Sequence, residues 1–370
     1  MVDLAGQYAK IKNEIDLAIQ NVLDSTQFIN GPIVSQFEKN LAQYLNVKYV
    51  ISCANGTDAL LVSLMALGLK KGDEVIVPAF TYVATAEVIA LLGLIPIMVD
   101  VDPQTFNINL QKIEHLVTEK TKAIIPVHLY GQCSDIESLV AFAKNKNISV
   151  VEDNAQSLGS ICTLSSGEKR QAGTIGDIGT TSFFPSKNLG CYGDGGAIFT
   201  NNSKLAAKIR MICNHGQVKK YIHSVVGVNS RLDSIQAAVL NVKLNYFDNY
   251  ISARNLIADN YDGAFKEIEE IVTPFRQKNS SHTFHQYTIK VPSKKRNLLK
   301  DFLANHGISS AIYYPIPLYK QEAYQNPNKS EYRLNNTEVL CETVLSLPIH
   351  TEMDTQTQQV ISNSVKSFFQ

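Results

Sequence analysis

The sequence predicts an α/β fold, a mainly parallel sheet covered by helices on both faces, followed by a smaller α+β lobe. Three observations carry this. Between residues 49 and 151, short runs rich in valine and isoleucine alternate with longer amphipathic segments, the rhythm of βαβ units. Past about Asn245 that rhythm weakens, and residues 284–291 show a period of two at Tyr287, Ile289 and Val291. The chain has 370 residues, 45% hydrophobic and 18% charged, enough for a large core or two packed lobes.

Taken in order, Ile11, Ile15, Ala18 and Val22 recur at helical spacing, and Gly31-Pro32 opens a second helix with Phe37, Leu41 and Tyr44 on one side. These form an N-terminal arm. Strands follow over 49–53, 74–77, 96–99, 123–127 and 148–151, separated by helices over 58–67, 84–92, 110–116 and 136–145. Residues 162–176, with Ser165-Ser166-Gly167 and several charges, read as a mobile inserted loop. Beyond a helix over 204–212, one long amphipathic helix is expected from about Asp233, carrying Ile235, Val239, Val242 and Tyr246.

Composition narrows the function. Formal net charge is zero and no lysine or arginine run is present, which argues against nucleic acid or an anionic membrane as partner. The first residues lack a basic and then apolar leader, and the apolar stretch 88–99 is interrupted by Gly93 and Pro96. A cytoplasmic protein is expected. The six cysteines show neither a CxxC pair nor a histidine at ligand spacing, so free buried thiols are expected in place of a disulfide frame or a metal site.

The chemistry centres on Ser182-Phe183-Phe184-Pro185-Ser186-Lys187-Asn188-Leu189-Gly190 and the following Gly193-Asp194-Gly195-Gly196. Pro185 lacks an amide donor and the glycines admit positive φ, which places Lys187 on an irregular, well-determined loop. Such a lysine suits Schiff-base chemistry, since burial favours the neutral nucleophile; the plainer alternative is a surface lysine beside a hairpin. Four further spots fall at strand ends, where open parallel sheets bind ligands. Gly56, Thr57 and Asp58 open a helix and suit a phosphate, or Thr57 or Asp58 merely caps that helix. Asp153 and Gln156 follow an apolar strand, where the carboxylate is a metal ligand, a general base, the partner of a protonated ring nitrogen, or another cap. Tyr82 either covers a flat cofactor or is core. Arg231 either binds a carboxylate or phosphate or pairs with an acid such as Asp233.

In this order these motifs resemble the DegT-type, pyridoxal-phosphate-dependent nucleotide-sugar aminotransferases of fold type I. The resemblance runs over Ala54-Asn55-Gly56-Thr57-Asp58-Ala59-Leu60, 77–87, Pro126-Val127-His128-Leu129-Tyr130-Gly131-Gln132, 152–156, 182–196, Asn214-His215-Gly216-Gln217, 227–237 and Tyr313-Tyr314-Pro315. It implies a large domain over 1–244 with a mainly parallel seven-stranded sheet and a small domain over 245–370. It makes Lys187 the lysine that bonds the cofactor aldehyde and moves the proton. Asp153 would pair with the ring nitrogen, Gln156 approach the 3'-oxygen and Tyr82 stack on the ring. Gly56, Thr57, Asp58 and Ser182 would hold the phosphate, with Asn229 reaching over from a second subunit in a homodimer with shared sites. L-glutamate is the implied amino donor and a keto-sugar nucleotide the acceptor. Asn154 departs from the alanine expected there. Lys187 argues against the family's dehydratases, which carry histidine instead.

Within the family the motifs look most like the branch that aminates C3 of UDP-2-acetamido-2-deoxy-3-oxo-D-glucuronate for bacterial surface polysaccharide. Arg231 would meet the uronate carboxylate, Tyr313 and Tyr314 would line the sugar pocket, and His215 would lie near the nucleotide. Tyr313 stands where that branch often has histidine. The alternatives are a dTDP-3-keto-6-deoxyhexose 3-aminotransferase, then a UDP-4-keto-sugar aminotransferase, and, outside enzymes, a regulatory protein of the same fold. A Rossmann dinucleotide enzyme fails on motif, because Gly193, Gly195 and Gly196 lie late in the chain between strands.

Overall fold

The computed structural model describes residues 1–324 and 333–370. Helix α1 (Leu4–Ser25) starts where the Asp3 side chain accepts from the Gly6 amide, and it buries Ile11, Ile15 and Val22. Helix α2 (Pro32–Leu45) has proline at its first position and buries Val34, Phe37, Leu41 and Leu45. The alternating part follows: β1 (Tyr49–Cys53), α3 (Gly56–Leu67), β2 (Glu74–Pro78), α4 (Ala84–Leu91), β3 (Ile95–Val99), α5 (Leu110–Ile113), β4 (Thr121–Ile124), α6 (Ile136–Asn145) and β5 (Ser149–Asp153). Then come β6 (Ile161–Thr163), β7 (Lys169–Gln171), β8 (Ile178–Ser182), β9 (Gly196–Thr200), α7 (Ser203–Cys213), β10 (Gln217–Lys219), β11 (Ile222–His223) and α8 (Ser234–Leu244).

Seven strands form one sheet in the order β1-β9-β8-β5-β4-β2-β3. All neighbours pair in parallel except β9, which runs antiparallel to both β8 and β1 because the loop 183–195 returns the chain beside β8. The sheet is thus the mainly parallel α/β sheet expected. Its apolar strands are buried on both sides, with Val75, Val77, Ile125 and Val151 in one core cluster and Ile76, Ile124 and Val150 in another. Strand β5 sits at the middle, and its carboxyl end carries Asp153.

The second lobe comprises α9 (Phe247–Phe265), β12 (Tyr287–Lys290), α10 (Ser293–Asn305), α11 (Asn335–Thr343), β13 (Val344–Leu347) and α12 (Thr355–Phe369). Strands β12 and β13 pair antiparallel and share a core with Ile257, Tyr261, Phe284, Leu299 and Val365. Phe247 and Tyr250, at the start of α9, belong instead to the core around Phe37 and Phe183. We propose the domain division at 244/245, with the packing handed over one to two turns into α9.

Four expectations are corrected. The long helix from Asp233 is two helices: the Asn245 and Tyr246 amides bond three residues back, to Val242 and Lys243, and Tyr246 has φ −102° and ψ 0°, which turns the axis. The helix over 110–116 is one turn, closed by a similar bond from Leu116 to Ile113. Residues 162–176 are no irregular loop: β6 and β7 form a hairpin, and Glu152 takes the amides of Gly173, Ile175 and Gly176. Cys162, at that hairpin, is bonded to Cys133; the other four cysteines are free and buried. Spacing of 29 residues gave no sign of that pairing, which the fold creates. Among the described residues no helix is long and apolar enough to cross a membrane.

Candidate functional site

The site is built where β5 ends. Alternation along the strand sends Glu152 and Asp153 to opposite faces. Glu152 is buried and accepts from His128 Nε2 at 2.8 Å as well as from the amides of Gly173, Ile175 and Gly176, which follow the hairpin. His128 Nδ1 accepts from the Ser134 amide, so Nε2 carries the hydrogen and the ring pairs as a donor. Burial alone would raise the Glu152 carboxyl, but His128 and the Gly176 and Gly173 amides hold it below the ordinary value. The strand end is thereby pinned from behind. On the other face, Asp153 is 6% exposed, with Oδ2 accepting from Thr85 Oγ1 at 2.9 Å and Oδ1 from the Ala155 amide at 3.1 Å.

Lys187 projects from the loop joining β8 to β9. That loop closes on itself: the Phe183 amide bonds Gly195, the Lys187 amide bonds Phe184 and the Cys191 amide bonds Phe183, each at 2.8 Å. Phe183 anchors it, buried edge-on against Phe37. The Lys187 side chain is half-buried, and burial pulls its ammonium down to about 8 against the opposing pull of Asp153. From the small lobe, the segment 282–285 lies against the loop, with Asn188 Nδ2 donating to the Thr283 carbonyl at 2.9 Å. His285 is buried, and burial, Lys187 and Arg254 push it well below its ordinary value, so its ring is neutral. Its Nδ1 and the Asn188 Oδ1 are buried without a partner.

Beside this group, Gly56 opens α3 with Asn55 as its cap. Asn55 Oδ1 takes the Asp58 amide at 2.7 Å, so neither Thr57 nor Asp58 caps the helix and the Gly56 and Thr57 amides remain as the open donors of the first turn. A Cβ on Gly56 would stand 2.7 Å from Ser182 Cβ, which explains why glycine is needed where the two segments meet. Gln156 is held by both ends, its Oε1 accepting from the Tyr130 amide at 2.9 Å and its Nε2 donating to the Tyr314 hydroxyl at 3.0 Å. The Tyr82 ring lies 6.4 Å from that of Tyr314 and is 57% exposed. Tyr313 follows, its carbonyl accepting from the Tyr130 hydroxyl.

One chain therefore brings together Lys187, Asp153, Gln156, Gly56, Thr57, Ser182, Tyr82, Tyr313 and Tyr314. His215, Asn229 and Arg231 lie apart on the strap 214–231. His215 and Asn229 are exposed, and Arg231 lines a cleft of about 890 Å³ with Asn30, Glu38, Ser52, Arg210 and Asn214. The strap runs past the α3 entrance, where Ser230 Oγ accepts from the Ala54 amide at 3.0 Å. Sequence reasoning missed Thr85, Asn188 and His285. Asn188 sat inside the motif as read; Thr85 and His285 carried no local signal.

These residues fit pyridoxal 5'-phosphate: a lysine amine eased toward neutrality, a buried carboxylate fixed by a hydroxyl, and open helix-start amides beside a serine suit its aldehyde, ring nitrogen and phosphate. Among the described residues no group of three acid, histidine or cysteine side chains could hold a metal ion.

Comparison with known proteins agrees. The model of the DegT/DnrJ/EryC1/StrS aminotransferase family matches residues 9–366. The chain is 47% identical over 360 residues to the UDP-2-acetamido-2-deoxy-3-oxo-D-glucuronate aminotransferase of Pseudomonas aeruginosa, covering 97% of each. It is 43% identical over 374 residues to a pleiotropic regulatory protein of Geobacillus stearothermophilus, covering 100% of this chain and 98% of that one. The crystal structure of NtdA from Bacillus subtilis with bound cofactor PMP superposes with a TM-score of 0.90 at 33% identity, over 97% of this chain and 82% of the other.

Proposed function

The chain belongs to the DegT/DnrJ/EryC1/StrS aminotransferase family and is a pyridoxal-phosphate-dependent sugar aminotransferase; from this premise we propose that it transfers the amino group of L-glutamate to C3 of UDP-2-acetamido-2-deoxy-3-oxo-D-glucuronate, in the cytoplasm and as a homodimer. The 47% identity to the Pseudomonas aeruginosa enzyme over nearly the full length of both chains carries this choice of sugar.

Pyridoxal 5'-phosphate, when bound, supplies an aldehyde that carries the amino group and a ring that accepts electron density from the carbon losing its proton. The protein's residues do the rest. Lys187 Nζ would take the proton from the donor's α-carbon and, in the half of the reaction that aminates the sugar, deliver a proton to its C3; burial that lowers its ammonium to about 8 leaves more of the basic form at neutral pH than an ordinary lysine has. Asp153, oriented by Thr85, holds the proton on the ring nitrogen. The Gly56 and Thr57 amides and Ser182 would hold the phosphate, the Asp58 amide of the expected set being taken by Asn55 Oδ1, and Asn229 of a second subunit would complete the set. Gln156, fixed by Tyr130 and Tyr314, would meet the 3'-oxygen, and Tyr82 would cover the ring. Arg231 supplies the cation that recognises the uronate carboxylate, and Tyr313, Tyr314 and His215 line the sugar-nucleotide path.

The test is a comparison of acceptors. With L-glutamate present, the UDP-3-oxo-uronate should release 2-oxoglutarate and give an amino sugar of the matching mass, at a specificity constant above those of dTDP-3-keto-6-deoxyhexoses and UDP-4-keto sugars. Preference for the dTDP sugars would replace the proposed substrate by the runner-up without touching the aminotransferase assignment.

A further inference from the structure

Lys243 sits in α8 and is 1% exposed, a burial rarely given to a lysine. Its Nζ donates to the Gly190 carbonyl at 2.8 Å and stands 4.4 Å from the centroid of the Tyr192 ring. The third neighbour is the Cys191 thiol, whose Sγ donates toward the Phe183 and Gly193 carbonyls. No carboxylate of the described residues lies within ion-pair distance of it. A buried cation without an anion costs stability, and a methionine of similar length would fill the same space.

What the ammonium holds is the closing end of the lysine loop. A Cβ on Gly190 would stand 2.4 Å from the Pro185 carbonyl oxygen and 2.8 Å from that of Phe184, so the Gly190 backbone is packed directly on the start of the turn. The Phe184 carbonyl in turn accepts the Lys187 amide. We infer that Lys243 is a positioning residue, whose ammonium fixes the Gly190 carbonyl and through it the turn 184–190 that presents the Lys187 amine. The inference rests on the reading of Lys187 as the lysine that meets the cofactor.

Burial lowers Lys243 to about 8, the same region in which Lys187 loses its proton. Cys191, raised to about 11, and Tyr192, raised to about 12, touch it from the loop, and the other titratable groups on the surrounding elements are Asp194 on the loop, Tyr8, Lys12, Glu14 and Asp16 on α1, and Tyr246 and Tyr250 at the start of α9. Of these, Cys191 is the one that bears on Lys243, and it keeps its proton at pH 8. The two lysines therefore ask for opposite conditions: Lys187 must be neutral to react, while Lys243 holds the loop most firmly when charged, because the neutral amine still donates to Gly190 but loses the charge assistance and the attraction to the Tyr192 ring.

The test measures the second-order rate of pyridoxal 5'-phosphate uptake by cofactor-stripped protein, followed by absorbance between pH 6 and 10, with melting temperatures alongside. Wild type should give a bell, rising as Lys187 deprotonates and falling above about pH 8 as Lys243 does. Lys243→Met should lose the falling limb and be slower by about tenfold at pH 7. A wild-type profile that rises to a plateau overturns the inference without reference to any variant. So does a Lys243→Met protein with a lowered melting temperature and an unchanged profile, which would make the lysine merely structural. Uptake that persists unaltered in Lys187→Ala contradicts the Lys187 reading itself and is distinguished by that control.

Discussion

Two connecting segments flank β9 and α7, the loop 183–195 and the strap 214–231, which carries the short hairpin of β10 and β11, and they are built to opposite ends. In both the backbone is closely hydrogen-bonded; in the strap the amides of His215, Gly216, Ser224, Val228 and Ser230 all find carbonyls within 2.9 to 3.0 Å. Side chains tell them apart. The loop buries Phe183, Asn188, Leu189 and Cys191, leaves Phe184 as its one large exposed apolar side chain, and settles Lys187 against residues of its own chain, whereas the strap leaves Tyr221 81% and Val226 85% exposed beside Ile222 and Val218. A held backbone with apolar side chains turned outward is a surface shaped for something else. On our reading the loop is the part of the site each chain completes alone, and the strap is the part it lends to a second copy.

The largest expected effect falls on the loop. Lys187→Ala should lower glutamate-driven amino transfer by about 10³-fold or more while far-UV circular dichroism stays that of wild type. Residual turnover within tenfold of wild type would move the chemistry elsewhere. On the strap, Asn229→Ala combined with Arg231→Ala should raise both KM for the acceptor and the apparent Kd for pyridoxal 5'-phosphate by about one to two orders of magnitude, with the melting temperature of the cofactor-free protein unchanged. A drop in melting temperature instead would mean that these side chains serve their own chain.

Thr85→Val removes the hydroxyl donor from Asp153 and keeps the volume, so kcat should fall about tenfold. An unchanged kcat would leave Thr85 as packing only. The mildest effect concerns acid. His282 is pushed down to about 3 by burial and Arg276, and His285 well below 6.5, so the unfolded chain binds protons that the folded one refuses. Stability is then complete above the ordinary histidine value and is lost as pH falls from 6.5 toward 3. Denaturation at pH 7 and pH 5 should show a loss of about 2 kcal/mol per histidine, and His285→Gln should lose correspondingly less. Equal losses in both proteins would contradict the assignment.

Much of this was legible in the sequence, for identifiable reasons. The strand at 49–53 and the helix at 136–145 match β1 and α6 because apolar runs there are bounded by polar or turn-forming residues. Asp153 and Gly56 were legible because each sits at a strand end or helix start whose punctuation is local, and Lys187 because Pro185 and the glycine cluster mark the loop that carries it. His285 was not, since its place beside Lys187 depends on a lobe that begins sixty residues later. The hairpin of β6 and β7 has three-residue strands, too short to carry a period, and the break between α8 and α9 has neither glycine nor proline to mark it. Lys243 reads from sequence as one polar residue of an amphipathic helix; only packing shows that it points inward.

The contrast between loop and strap is tested most directly by mixing subunits. Lys187→Ala and the Asn229→Ala, Arg231→Ala double variant are each purified, found inactive or nearly so at low acceptor concentration, then unfolded together and refolded as a mixture. If the strap serves the neighbouring subunit, each mixed dimer contains one intact site, and activity should return to about a quarter of wild type. If activity stays at the level of the two parents, the strap acts within its own chain and the division of the site between copies is wrong.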